Sequence, residues 1–264
     1  MTRPTLYHMG ISYYSMIARL VLAEKAVDYD SKELDIEVRF DNLYPDYARI
    51  QPRMTVPAMV HGEHVLTGSD SILDYVARQL PGPDLYPNPQ AEEWVRRHYA
   101  FEVENLTMGR IANVNPLLRK LMLNKREKQR KLCLKFAAEN PDLEQLYQAK
   151  AQTFVAKSQG LEGNARYEQA LLEARQLLDE LEQRLNTDPY VAGPEYSAAD
   201  VVWTVFLVRL TFLRKPEEIS SRPALAGYWT RVQARPSFQV ADMWTALTPR
   251  RVVSQIWQTF HSRS

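Results

Sequence analysis

The sequence contains almost no cysteine and no long apolar run. Cys133 is the only cysteine in 264 residues, which excludes an internal disulfide framework and a CxxC redox pair and fits a reducing compartment. Nowhere do 18 consecutive apolar residues occur, and the first ten residues lack the apolar segment of a secretory leader. We therefore expect a soluble, cytoplasmic protein.

Net charge is also nearly absent. The chain has 33 Lys and Arg against 32 Asp and Glu, a formal charge of +1. No overall field therefore attracts nucleic acid or an anionic membrane, and neither is expected as a partner. At 264 residues, the chain is long enough for two packed domains or one large one.

The first 80 residues alternate strand and helix patterns at short intervals. The spacing predicts strands at 5–9 and 29–34, a helix at 16–26, a short broken helix at 41–50, a hairpin at 56–67 and a helix from Ser69. The helix at 41–50 is predicted to be broken because it contains Pro45, and proline disrupts the interior of a helix. The order β-α-β-α-β-β-α is that of a thioredoxin-like α/β domain.

A proline-rich segment, residues 81–87, interrupts this pattern, so we place domains at 1–82 and 90–264. The second domain is predicted to be all-α, because apolar residues recur at helical spacing in segments 90–112, 116–138, 141–158, 164–186, 197–213, 222–234 and 248–261. Ser197 and Asp200 form a capping-box pattern, with Tyr196 and Val201 placed as a hydrophobic staple. The apolar run that follows predicts a helix at the centre of a bundle.

Together these features resemble the soluble glutathione transferases. The N-terminal motifs are Leu6-Tyr7, Ser12-Tyr13-Tyr14-Ser15, Arg19-Leu20, Thr55-Val56-Pro57 and Gly68-Ser69, and the capping box at 196–200 follows in the helical domain. Segments 27–30, 45–47, 141–149 and 190–204, with the extra helical stretch at 117–160, look like the tetrachlorohydroquinone dehalogenase-like group. The resemblance implies glutathione as co-substrate and a homodimer.

A transferase of this kind must stabilise the thiolate of glutathione, since a free thiol is mostly protonated at neutral pH. The resemblance places Ser12 at the activating position, with Ser15 and Tyr14 as further candidates. By residue type alone, the two serines are helix caps. The bacterial dehalogenases carry a cysteine where this chain has Tyr14, which argues against reductive dehalogenation through a protein thiol.

The resemblance also implies the glutathione contacts. A cis bond between Val56 and Pro57 would free the Val56 backbone to pair with the cysteinyl part of glutathione, whereas sequence statistics alone favour an ordinary trans proline. Ser69, otherwise a cap, would bind the γ-glutamyl carboxylate at a helix N-terminus. The family usually has an acidic residue before this serine. Here it is Gly68, so Asp70 or the partner subunit would hold the ammonium group.

A basic run occupies the predicted helix at 116–138, with eight Lys and Arg residues between Arg119 and Lys135. We interpret it as a solvated helix face, with an anionic-substrate mouth or a membrane-surface contact as alternatives. Cys133 lies inside the run. We expect a buried or incidental cysteine, although neighbouring cations could lower its pKa.

The five histidines show no close ligand pair with a third partner at metal-site spacing, so no metal is predicted. His61 and His64 flank the hairpin turn and should face water. Substrate specificity is expected in the cleft between the domains, with Met9, Tyr14 and Met108 as lining candidates. The amphipathic segment 248–261 would pack over the helical domain.

The sequence thus predicts a glutathione transferase that attacks a hydrophobic, aromatic or quinone-like electrophile. Within the enzymes, the alternatives are a dehalogenase, an aryl-ether cleaving enzyme and a maleyl-type isomerase. Another class remains open, a non-catalytic glutathione-binding or interaction protein. A membrane-peripheral role through the basic run and the C-terminal helix is a third, weaker hypothesis.

Overall fold

A computed structural model describes residues 2–114, 116–159 and 165–248 of the chain. Its sheet contains β1 (Thr5–His8), β2 (Asp30–Glu33), β3 (Ala58–His61) and β4 (His64–Thr67). The strand order is β2-β1-β3-β4. Strand β1 runs parallel to β2 and antiparallel to β3, and β3 and β4 form the predicted hairpin.

Three α-helices accompany the sheet, namely α1 (Tyr13–Glu24), α2 (Pro45–Ile50) and α3 (Ser69–Gln79). A 3-10 helix at Asp41–Leu43 precedes Pro45, as expected from a proline that suits the first turn of a helix but not its interior. The observed order β-α-β-α-β-β-α confirms the thioredoxin-like prediction.

The rest of the described chain is helical. The helices are α4 (Pro89–Ala100), α5 (Val103–Val114), α6 (Pro116–Glu139), α7 (Glu144–Gln159), α8 (Ala165–Leu185), α9 (Ala198–Phe212), α10 (Glu217–Ser220), α11 (Pro223–Gln233) and α12 (Pro236–Val240). A 3-10 helix at Pro141–Leu143 joins α6 to α7. The all-α prediction for this part is confirmed, while the predicted helix at 248–261 lies outside the described residues except for Thr248.

One predicted helix is wrong in its extent. The segment 90–112 forms two helices, because the backbone at Phe101 is extended (φ −85°, ψ 125°). This turn buries the Phe101 ring, which meets the Phe206 ring edge-on with centroids 5.5 Å apart. Packing of one aromatic side chain against α9 has therefore replaced the helical hydrogen bonds that the period favours.

Helix α9 lies at the centre of the helical part, and residues 198–210 are all buried. The capping box at its start is present, with the Asp200 carboxylate accepting from the Ser197 backbone N–H (2.9 Å) and hydroxyl (2.8 Å). One hydrophobic cluster runs from Leu6 and Ile17 in the α/β part to Val202 and Phe206 in α9. Helix α1 therefore packs against both parts, which places its N-terminus at their junction.

Candidate active site

Ser12 is the N-cap of α1. Its backbone is extended, and its Oγ accepts a hydrogen bond from the Ser15 backbone N–H at 3.4 Å. A serine hydroxyl has one donor proton besides its two acceptor lone pairs. Capping uses only a lone pair, so the half-buried Ser12 hydroxyl can cap the helix and still donate to a ligand at the positive end of α1.

The other two candidate hydroxyls differ from Ser12. Ser15 is fully buried, and its Oγ accepts from the Met9 backbone N–H at 3.3 Å. A side chain enclosed in this way cannot reach the sulfur of a ligand, so Ser15 leaves the set of catalytic candidates. Tyr14 is half-buried, and burial, reinforced by Glu104, raises the pKa of its phenol to about 12. Tyr14 therefore remains protonated and able to donate at neutral pH.

Tyr13, between Ser12 and Tyr14, turns inward and contacts His98 on α4, a role that the sequence does not predict. The Tyr13 hydroxyl and His98 Nε2 are 2.5 Å apart, and their rings stack. Burial lowers the pKa of His98 to about 3 and raises that of Tyr13. The neutral imidazole therefore accepts a hydrogen bond from the Tyr13 phenol, and this bond anchors the first turn of α1 to α4.

The loop before β3 contains a cis peptide bond between Val56 and Pro57, as the resemblance implied. Val56 is largely buried, and within the described part of the chain neither its N–H nor its C=O takes part in a backbone hydrogen bond. Buried backbone groups are nearly always paired. The Val56 backbone is thus available to an extended ligand strand.

Ser69 opens α3, where the first backbone N–H groups of a helix attract a carboxylate. The serine is buried, and its Oγ accepts a hydrogen bond of 3.0 Å from the Tyr99 hydroxyl. As in Ser12, the Ser69 hydroxyl proton stays available. Tyr99 was not identified from the sequence, because only the fold brings α4 to the start of α3.

Gly68 has φ +125°, a conformation that side chains rarely adopt. A Cβ built on Gly68 would lie 2.5 Å from Asp70 Oδ1 and 3.0 Å from Arg53 Nη2. The exposed Asp70 carboxylate therefore occupies the space that a side chain at position 68 would need. The positive φ at position 68 therefore favours glycine over an acid, and the exposed Asp70 carboxylate would have to shift to admit any side chain there.

The two methionines proposed to line a substrate pocket are placed differently. Met9 is 1% exposed and packs in a cluster with Tyr47, Val56 and Ala58. Met9 therefore packs against the loop that contains Val56. The prediction that it lines an open substrate cleft is wrong. Met108 on α5 is 37% exposed, so it stays a candidate for lining the substrate pocket.

The basic run lies on α6, where its residues are exposed or half-buried. Several of them make surface ion pairs, such as Lys125 with Glu37 (2.5 Å) and Arg130 with Glu127 (2.8 Å), which agrees with a solvated helix face. Cys133 on α6 is fully buried in a hydrophobic cluster that includes Tyr147 and Ala151 of α7. Burial raises the pKa of its thiol to about 11, so the alternative of a cation-lowered pKa is wrong.

Among residues 2–114, 116–159 and 165–248, no three metal-ligating side chains come together. In the same ranges, every helix falls short of the length and apolar character needed to cross a bilayer. His64 is exposed, whereas His61 is half-buried and bonds to the Tyr75 hydroxyl at 2.9 Å. The expectation that both histidines face water holds for His64 alone.

Comparisons with known proteins show the family to which the chain belongs. The glutathione S-transferase N-terminal domain model matches residues 6–84, and the glutathione S-transferase C-terminal domain model matches residues 164–231. Among relatives, the chain is 33% identical to a tetrachloro-p-hydroquinone reductive dehalogenase of Sphingobium chlorophenolicum, over 91% of this chain and 96% of that protein. It is 31% identical to glutathione S-transferase TCHQD of Arabidopsis thaliana, over 89% and 87%.

Among solved structures, a glutathione S-transferase III in its apo form superposes with a TM-score of 0.66, over 94% of this chain and 99% of that one, at 23% identity. The fold, the matched domain models and the full-length relatives agree. The chain belongs to the glutathione S-transferase family and is a glutathione-dependent enzyme.

Proposed function

We propose that the chain activates the thiol of glutathione with Ser12 and transfers the thiolate to a hydrophobic, aromatic or quinone-like electrophile. The observation that carries this proposal is the geometry of Ser12, whose Oγ accepts from the Ser15 N–H while its own proton stays available. A hydroxyl donating to sulfur at the N-terminus of α1 would lower the thiol pKa, since the helix end favours negative charge.

The Val56 backbone and the start of α3 would hold glutathione. The N–H and C=O of Val56 would pair with the cysteinyl backbone as an added strand does, with Pro57 shaping the loop. The Ser69 hydroxyl and neighbouring N–H groups would bind the γ-glutamyl carboxylate. Asp70, folded back over Gly68, would take the ammonium group in place of an acid at position 68.

Tyr14 and Met108 would line the second substrate's side of the cleft. Tyr14, protonated and without a hydrogen-bond partner among the described residues, could donate to the electrophile. The chain would act as a cytoplasmic homodimer in detoxification of such compounds, as family habit suggests, with no nucleic acid or membrane partner.

A second candidate function, reductive dehalogenation, is favoured by the relative that carries this name. Here Tyr14 stands in the position of that group's reactive cysteine, and Cys133 is buried on α6. Without a reactive protein thiol, the second half of the reaction would need another glutathione, whose thiolate would attack the sulfur of the first adduct and release the reduced product with glutathione disulfide.

Calorimetric titration with glutathione, followed by turnover of a chlorinated aromatic and a quinone, tests the proposal. Ser12→Ala should bind glutathione with little change and lose about 10²-fold or more in kcat/KM, the usual effect of removing one donor to a developing anion. Ser220→Ala, an exposed serine on α10, is the matched control. Failure of the wild type to bind millimolar glutathione would refute the proposal, and binding without turnover would favour a non-catalytic role.

A further inference from the structure

Helix α9 buries a positive charge beside the start of α1. Arg209 is 5% exposed, and its Nη2 donates to the carbonyl of Ile11 at 3.1 Å. Its guanidinium carbon lies 5.5 Å from the Tyr13 ring centroid and 5.1 Å from that of Phe212. The bonded carbonyl belongs to the residue that precedes Ser12, so Arg209 fixes the peptide that orients the helix cap.

This arginine lacks the counter-charge that buried cations normally have. Arg235, by contrast, makes two hydrogen bonds to Glu24, at 2.6 and 2.9 Å. In the described part of the chain no carboxylate pairs with Arg209, and its buried Nε has no hydrogen-bond partner. Burial lowers its pKa to about 10, so it stays charged at neutral pH.

The charged and titratable groups around it leave this positive charge uncompensated. Tyr13 and Tyr14 on α1 are neutral phenols, and His98 on α4 is a neutral imidazole. The acids that reach Tyr14 have other contacts, because Glu104 pairs with Lys157 at 2.6 Å and Glu102 accepts from Asn105 at 2.7 Å. Asp70, in the first turn of α3, also acts on Tyr14, and its carboxylate is exposed to solvent.

We propose that Arg209 is a positioning residue for the reactive thiolate, holding the Ile11–Ser12 peptide and supplying the positive charge that the thiolate balances. This inference rests on the proposed function and deepens it. It explains why a cation is buried without a partner, since the missing anion arrives with the ligand. It also gives the helical domain a direct part in thiol activation, which the α/β domain would otherwise perform alone.

The test measures the thiol pKa of bound glutathione from the ultraviolet absorbance of the thiolate between pH 5 and 9. In Arg209→Met, which fills the buried space without a charge, the pKa should rise by about one unit, a tenfold smaller thiolate fraction, as for loss of one nearby opposite charge. Arg209→Lys should keep most of the depression, and Arg209→Gln should lose it. The pH profile of kcat/KM should shift in parallel.

Arg175→Met is the control, because it removes an equal charge from a half-exposed site on α8 that pairs with Glu218. Circular dichroism and melting temperature establish that each variant is folded. An unchanged thiol pKa in folded Arg209→Met would overturn the inference, as would lost turnover at an unchanged pKa, which would place the effect on the electrophile. If the wild type itself neither binds glutathione nor depresses its pKa, the proposed function fails instead.

Discussion

At the scale of single residues, two histidines are buried in the neutral state. His8 Nε2 lies 2.7 Å from Ser31 Oγ, and Arg19 Nη1 donates to His8 Nδ1 at 3.4 Å. Burial, together with the positive charge of Arg19, lowers the pKa of His8 to about 3, as burial alone does for His98. A proton on either ring would have to be accommodated without water.

These histidines should make the protein acid-labile. Their pKa is 6.5 in the unfolded chain and lower in the folded one, so their stabilising contribution is complete above pH 6.5 and falls as the pH drops toward 3. Each of the two histidines should lower the unfolding free energy by about 1.4 kcal/mol for every pH unit that the pH falls within that window. Urea unfolding at pH 7, 6 and 5 should show this slope, and His8→Gln and His98→Gln should each reduce it.

His64→Gln, at an exposed position on the hairpin, serves as the control and should leave the slope unchanged. If His8→Gln and His98→Gln kept the slope of the wild type, the acid sensitivity would have another origin.

The residues that could be predicted from the sequence are those whose role is local. A capping role for Ser12 follows from its residue type just before the first periodic segment, and the place of Ser69 at a helix start follows from the periodic segment that begins there. His98, Tyr99 and Arg209 could not be found in this way, because their partners Tyr13, Ser69 and Ile11 are 85, 30 and 198 residues away in the sequence. Only the fold brings them together.

At the scale of elements, the same distinction holds. The capping box of α9 was predictable because its two partners are three residues apart, and the two ends of the hairpin are only a turn apart. The helix break at Phe101 could not be predicted, because residues 90–112 keep a helical period throughout. The contact that competes with the helix comes from Phe206 on α9. Periodicity records a helix's own preference and misses a tertiary contact that outweighs it.

The capping box should contribute strongly to stability because it is buried. The Asp200 carboxylate accepts from Val191 N–H at 2.9 Å as well as from Ser197. Asp200→Ala would leave buried donors unpaired, so the unfolding free energy should fall by about 2 to 4 kcal/mol. Chemical denaturation measures this, with Glu173→Ala on the exposed face of α8 as the control. Equal losses in the two variants would contradict the prediction.

At the scale of the whole molecule, helix α1 joins the two parts. Arg19 donates to the carbonyls of Met9 and Gly10 in the first loop and to those of Ala241 and Asp242 near the end of the described chain. At the C-terminal end of α1, Glu24 forms an ion pair with Arg235 at 2.6 Å. The hydrophobic cluster is continuous across this junction, so separating the parts would expose core side chains of both.

The α/β part and the helical part should therefore unfold in one transition, although chains of this length often unfold in steps. All five tryptophans lie at or after Trp94, so fluorescence reports the helical part, while hydrogen exchange of β1 and β3 reports the sheet. Both should give the same urea midpoint. Glu24→Gln, which removes the buried partner of Arg235, should lower the unfolding free energy seen by both probes by about 2 kcal/mol.

Asp179→Asn is the matched control, since it alters an exposed ion pair with Arg222 within the helical part and should have an effect below about 1 kcal/mol. Strand amides that exchanged at a lower urea concentration than the fluorescence midpoint would show that the α/β part opens by itself. In that case the contacts of Arg19 and Glu24 would not be strong enough to couple the parts. Coincident midpoints would mean that the N-terminus of α1, with Ser12, keeps its geometry only while the helical part is folded.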